Sequence, residues 1–256
     1  MLEALRDRGF EVEFRSHAKA ILSGDFPDAI DELQAALLSF TIPIEEIVGS
    51  GGGETKGTQR LRKALSEAGW DKFTFEITKV INGVARESQS HEIDHVRAFA
   101  DGTRLALEIE WNNKDPFFDR DLENFKRLHA EGAISVGIIV TRGPALQENL
   151  RALVQRFAEE EKLESAKDLG ALGLSPTARQ LRHYEARIQR GNVSFAEAWA
   201  AAFVQDKFGA ATTHWQKLID RINRGVGNPC PLLLIGLSEK IVTFGEDNRA
   251  RGQSLD

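Results

Sequence analysis

The chain has a single cysteine, no CxxC or HExxH pattern, and no apolar run long enough to span a bilayer. One cysteine excludes an intrachain disulfide and a thiolate zinc cluster, and Cys230 is read as a small buried residue. The longest apolar stretches, "AISVGIIV" and "CPLLLIGL", stop well short of the about 20 residues that a membrane helix needs. The opening residues, "MLEALRDRGFEVEF", carry charges where a secretory leader needs an apolar run, so a cytoplasmic protein without membrane association is expected. Basic charge is also in deficit. With 33 Lys and Arg against 39 Asp and Glu the net charge is −6, which disfavours indiscriminate nucleic-acid binding. Internal repeats, low-complexity tracts and clear linkers are absent from the sequence.

What is present suits one large α/β domain: 256 residues, of which 41% are hydrophobic, supply ample core. The charge is clustered. Basic residues gather at 55–63, 178–190 and 215–227, and acids at 26–32, 108–123 and 159–164, so local fields differ from the total. Periodicity predicts helices over 25–40, 58–70, 117–131, 144–162, 176–190, 195–207 and 212–224, and strands over 73–81, 91–99, 104–111, 134–141 and 231–237. The order strand, strand, strand, helix, strand, helix predicts a central mixed β-sheet flanked by helices, with antiparallel hairpins first, a right-handed crossover later, and additional helices in the C-terminal half. The expectation is a single domain over 1–256, with a core at 58–162 plus the strand near 231–237 and a helical part at 176–228. The glycine-rich "GSGGGETKGT" invites a phosphate-loop reading, but its order Lys56-Gly57-Thr58 lacks the closing Gly-Lys-Ser/Thr.

The informative stretch is "TRLALEIEWNNKDPFFDRD", 103–121. Leu105, Leu107, Ile109 and Trp111 fall on one face of a strand, and Ala106, Glu108 and Glu110 on the other. Two acids then stand roughly 7 Å apart on one face and need a proton or a cation between them. The preceding "ADGT" marks a hairpin whose length decides whether Asp94 joins them. A two-residue loop, Asp101-Gly102, pairs Asp94 with Ile109 on the opposite face. A three-residue loop, Asp101 to Thr103, pairs it with Glu110 and sets it diagonal to Glu108. Three converging carboxylates would suit a hard divalent cation such as Mg²⁺, and so phosphodiester hydrolysis. The plainer alternative is a solvated acidic face, with Asp115, Asp119 and Asp121 as acids at a helix N-terminus. Asn113 and Lys114, directly after the strand, offer an amide and a cation to a phosphodiester backbone.

"EID", followed fourteen residues later by "EIE", resembles the Asp…Glu-x-Lys constellation of the PD-(D/E)XK nuclease superfamily, with Glu110 where lysine is usual. The wider run "SHEIDHVRAF…LALEIEWNNKDPFFDRDLENFKRLH…GAISVGIIVTR", with "ATTHWQKLIDRINRGVGNPCPLLLIGL", resembles the BglII/BstYI group of type II restriction endonucleases over most of residues 10–240. The resemblance implies a restriction-endonuclease-like fold and cleavage of both strands of duplex DNA at a palindromic site by a homodimer. It also implies Mg²⁺, for which Mn²⁺ substitutes. Asp94 and Glu108 would be metal ligands, Glu110 would orient the attacking water, and Glu76 would be an accessory acid or simply an exposed strand residue.

For DNA contacts the candidates are Thr212, Thr213, His214 and Lys217 in "TTHWQK", and Arg221 and Asn228 in "RINRGVGN". The alternative is an N-cap at Thr212 and a solvated helix face at Arg221 and Arg224. His91 and His95 flank Asp94 and are expected to form hydrogen bonds. Two other functions remain open: a repair or structure-specific nuclease, and a non-catalytic DNA-binding protein.

Overall fold

The computed structural model describes residues 1–49, 55–191 and 193–245. In chain order its elements are α1 (Glu3–Asp7), β1 (Glu11–Arg15), α2 (Ala18–Asp25), α3 (Pro27–Ser39), β2 (Ile42–Pro43), α4 (Ile44–Val48) and α5 (Lys56–Glu67). Next come β3 (Trp70–Ile81), β4 (Val84–Ala98), β5 (Arg104–Glu110), α6 (Phe117–Ala130), β6 (Val136–Arg142) and α7 (Pro144–Glu160). The chain continues through α8 (Ala166–Ala171), α9 (Ala178–Arg190), α10 (Phe195–Lys207), α11 (Trp215–Asn223), β7 (Leu232–Leu237) and β8 (Val242–Thr243).

Six strands form one mixed sheet in the order β1-β7-β6-β5-β4-β3. The central β5, β6 and β7 are parallel, and β1, β4 and β3 add antiparallel edges. β6 and β7 are buried at every position, which is why "VGIIV" and "LLLIGL" read as continuous apolar runs without alternation. Helices cover both faces. Leu105, Leu107, Ile138, Val140, Leu233 and Ile235 pack on one side into a cluster with residues of α1 to α5 and α7 to α10. Ala106, Ile139 and Leu234 pack on the other side against α6 and α11. The restriction-endonuclease-like α/β fold expected from the sequence is thus present.

α6 is the helix that positions the site. Phe118, Leu122, Phe125 and Leu128 recur at helical spacing and are completely buried, each contributing about 1.5–3 kcal/mol. Past its end, Gly132 has φ 68 and the Ala133 N–H returns to the Leu128 carbonyl at 2.8 Å, a left-handed stop.

Several elements were not expected: β1, β2, β8, α1, α2, α4, α8 and the first half of β4. "VARESQS" lacks apolar alternation because that half of β4 lies beyond the ladder with β5 and pairs only with β3. Its hairpin turns through Asn82-Gly83, both at positive φ, between the paired Ile81 and Val84. Of the glycine-rich segment, 50–54 lies outside the described residues. Lys56-Gly57-Thr58 opens α5, capped by Thr55, whose hydroxyl accepts from the Thr58 N–H at 3.2 Å. Cys230 is buried, and burial pushes its thiol up to about 12.

The close approach of α6 to β6 requires a glycine. A Cβ at Gly137 would stand 2.4 Å from the Phe125 ring. Gly137→Ala is expected to destabilise the protein by about 1–3 kcal/mol, read as a lowered midpoint in urea unfolding.

Candidate active site

The β4–β5 loop sets the register. The Phe99 N–H donates to the Thr103 carbonyl and the Gly102 N–H to the Phe99 carbonyl, both at 3.0 Å, with Gly102 at φ 88. The loop therefore comprises residues 100–102, not 101–103. This corrects the expected pairing, since His95 pairs with Leu107 and the register carries Asp94 to Glu108 instead of Glu110. The shift is by two residues, so the face is unchanged and Asp94 still meets the glutamates. At this point β4 leaves β5: the ladder ends at His95, and the Asp94 N–H turns to Glu108 Oε1 at 3.4 Å. On its other side β4 has a bulge, because Asp71 pairs with Val96 while Phe73 pairs with Ile93. Asp94 and His95 thereby lie together opposite Lys72, whose Nζ is 2.6 Å from Glu92 and 3.8 Å from Asp94.

A solvated acidic face is ruled out by burial. Glu108, Glu110 and Asp121 are 5%, 2% and 1% exposed, whereas the Asp94 side chain is 45% exposed. Asp121, with Asp115 and Asp119, had as its plainer reading an acid at a helix N-terminus. It lies instead on the buried face of α6, since 118, 121, 122 and 125 form one helical stripe. An acid inside an apolar stripe was the signal available for it. Its Oδ2 has no hydrogen-bond partner, and its Oδ1 accepts from Arg120 Nε at 2.8 Å. Glu110 accepts from Asn113 Nδ2 at 2.8 Å and lies 3.7 Å from Arg120 Nη2. Together with Asp94, Glu108, Arg120 and Asn124, the residues Ser90, His91 and Glu92 line a cleft of about 400 Å³.

The electrostatics follow from this crowding. Burial, then the charges of Asp121 and Asp94, push the Glu108 carboxyl up to about 9. Burial and Asp121 likewise push Glu110 up to about 9, and burial raises Asp121 itself. The site holds protons where positive charge is missing. Among the described residues no three His, Cys, Asp or Glu side chains are arranged as a ready metal cage. The donor set nevertheless suits a hard cation: carboxylate oxygens of Asp94 and Glu108, beside an unpartnered Asp121 oxygen, with more acid than neighbouring base.

His91 is buried and His95 is 2% exposed, and the Nε2 of each lacks a hydrogen-bond partner. His95 Nδ1 is 3.3 Å from the Leu107 carbonyl, and burial pushes its imidazole down to about 4. Glu76 is exposed on β3, on the face away from Phe75, and does not line the cleft.

The other expected contacts divide by burial. Thr213 is fully buried; its hydroxyl accepts from the Asn113 N–H at 3.0 Å. Arg221 is buried between Asp119 at 2.8 Å and Asp115 at 3.4 Å. Lys114 is exposed and bridges to Thr212, Lys217 lies 3.6 Å from Asp115, and Asn228 is exposed. His214 is half-buried, its imidazole held down by burial and by nearby Arg142 and Lys217. Sequence reasoning also missed Arg142, a fully buried cation at the end of β6. It donates to the Thr213 carbonyl at 2.6 Å and the Thr212 hydroxyl at 2.7 Å, and lies 4.9 Å from the Phe208 ring centre. It fastens residues 212–213 to the strand beside β5.

A mixed sheet with acids gathered where one ladder opens is consistent with the restriction-endonuclease class. The family model described as "Restriction endonuclease BglII/BglIII" matches residues 10–237. The chain belongs to that family of type II, site-specific nucleases acting on double-stranded DNA. No curated protein compared with the chain matches it. Among the described residues no helix is long and apolar enough to cross a membrane.

The raised carboxyls predict a pH dependence of stability. A carboxyl raised from 4.5 to about 9 on folding stabilises the fold fully below pH 4.5, and that contribution is lost as pH rises towards 9. In EDTA the Tm is therefore expected to fall between pH 5 and pH 9. Added Mg²⁺ should raise the Tm more at pH 8.5 than at pH 5.5, and Glu108→Gln should flatten the EDTA profile. A metal-free Tm independent of pH would contradict the assignment.

Proposed function

We propose that this protein is a Mg²⁺-dependent homodimeric endonuclease of the PD-(D/E)XK type that cuts both strands of duplex DNA at a palindrome. The observation that supports this most strongly is the burial of Glu108 and Glu110 beside Asp121, with Asp94 in register across the opened ladder. Such a cluster is unfavourable as carboxylates unless a cation compensates it. Asp94 and Glu108 would hold the metal, and Mn²⁺ would substitute for Mg²⁺. When bound, the cation would supply Lewis acidity towards the phosphate and make its bound water easier to deprotonate.

The chain's own residues do the rest. Glu110, fixed by the Asn113 amide, is placed to orient the attacking water and, once ionised beside the bound cation, to take its proton. In the hydrolysis the water oxygen bonds to phosphorus while one ester P–O bond breaks, and the departing oxygen gains a proton. Glu76, exposed and outside the cleft, has at most an accessory role. The accessible Lys114, Lys217 and Asn228, with Thr212 and His214, are the residues proposed to touch DNA. Thr213 and Arg221 support them from within, and the exposed Asn113 stands beside them with its amide on Glu110. A two-fold dimer matches a two-fold site in the DNA, and a DNA substrate agrees with the expected cytoplasmic location.

Incubation of the purified protein with a mixed-sequence plasmid library in Mg²⁺ and in EDTA, followed by sequencing of the ends, tests this reading. Discrete ends sharing one palindrome, in Mg²⁺ only, are expected. Asp94→Ala, Glu108→Ala and Glu110→Ala should each lower the cleavage rate more than about 100-fold while the fold persists. Absence of cutting with every divalent metal would overturn it.

A further inference from the structure

The β5 motif places an acid, Glu110, where its superfamily usually has lysine, so the strand itself supplies no cation to the cleft. The cleft is nevertheless lined by one: Arg120, which reaches it from α6. Its Nε is 2.8 Å from Asp121 Oδ1, its Nη2 is 2.8 Å from the same oxygen and 3.7 Å from Glu110 Oε1, and its guanidinium carbon lies 4.4 Å from the Phe117 ring centre. The side chain remains 54% exposed. A guanidinium has five N–H donors in a planar fork. Asp121 engages one edge, and Nη1 makes no hydrogen bond among the described residues. Lys72 is a weaker candidate, because its ammonium is held by Glu92 at 2.6 Å and it does not line the cleft.

An acidic cleft repels a phosphodiester. DNA entering it needs an attractive group already in place, and a cation fixed by a buried acid and an aromatic face needs little reorganisation when negative charge accumulates on the phosphate. We propose that Arg120 is a catalytic residue whose guanidinium binds a non-bridging oxygen of the scissile phosphate, supplying from helix α6 the positive charge that the strand motif lacks. Asp121 is its positioning residue. This rests on the nuclease reading above, since it assumes that the cleft receives the scissile phosphate.

The test uses the full-length protein and the site found by end sequencing, with Arg120→Gln, Arg120→Lys and the parent. Single-turnover cleavage in Mg²⁺ is expected to fall about 10²–10³-fold in Arg120→Gln and to recover in part in Arg120→Lys, which keeps the charge but not the fork. Binding is measured in EDTA, on the native duplex and on one whose scissile phosphate is a neutral methylphosphonate. Arg120→Gln should weaken binding of the native duplex by about tenfold and leave the neutral duplex unchanged, as expected if the arginine meets that charge. Should Arg120→Gln fail to fold, the same comparison is made with Arg120→Lys, which is expected to lose less on the native duplex and again nothing on the neutral one. Equal losses on both duplexes, or parental cleavage by Arg120→Gln, would overturn the proposal. A parent that cuts no DNA would instead overturn the nuclease reading beneath it.

Discussion

Two glutamates side by side at the carboxyl end of β5, closed in by a helix that presents a third acid, are the constraint on which the rest of the site depends. A buried carboxylate pair is tolerated only as neutral acid or with compensating cations. The structure uses both means: burial and the neighbouring acids push Glu108 and Glu110 up towards their neutral forms in the absence of a cation, and Arg120 is drawn in from α6. Where the β4–β5 ladder ends, the Asp94 N–H meets Glu108 Oε1, which gives that buried carboxyl a backbone donor. The charge on these acids, more than the packing around them, decides what the cleft can admit.

The surrounding fold supplies the rigidity that such a cluster needs. α6 is pinned by four fully buried apolar side chains and by the contact of Phe125 with Gly137, so Asp121 and Arg120 are carried on an element with little freedom. On the other flank, Arg142 ties residues 212–213 to β6, and the Lys114–Thr212 bridge ties the same segment to the end of β5. The two sides of the site are therefore anchored to the same pair of parallel strands.

Much of this was legible in the sequence, for identifiable reasons. Glu108 and Glu110 were readable because strand alternation fixes their shared face whatever their burial, and Asp94 because pairing parity survives a register error of two. The register itself was misjudged by one loop residue, since "ADGT" is compatible with more than one hairpin length and the hydrogen bonds of Phe99 decide it. Asp121 and Arg120 were hidden by their neighbours: an acidic run at a helix start looks like capping, and only the 118–121–122–125 stripe distinguishes the buried acid. Arg142 and the burial of Thr213 were illegible because they depend on a contact between residues 71 positions apart. The polar half of β4 was missed because its order comes from pairing, not from an apolar face.

The β3–β4 hairpin can be regarded as a cantilever. β4 is paired with β3 along most of its length but with β5 only from His95 to Ala98, and the free arm extends back to the turn at Asn82-Gly83. Asp94 is the first residue beyond the support. With equal rise per residue along the arm, a rigid swing of the tip displaces Asp94 by only roughly a tenth as much. The outer end, where Val80, Ile81 and Val84 are exposed, can thus move through ångströms while the acid facing Glu108 moves through tenths. Because the support stands next to the functional residue, the lever arm at Asp94 is the shortest along the hairpin, whatever the tip does.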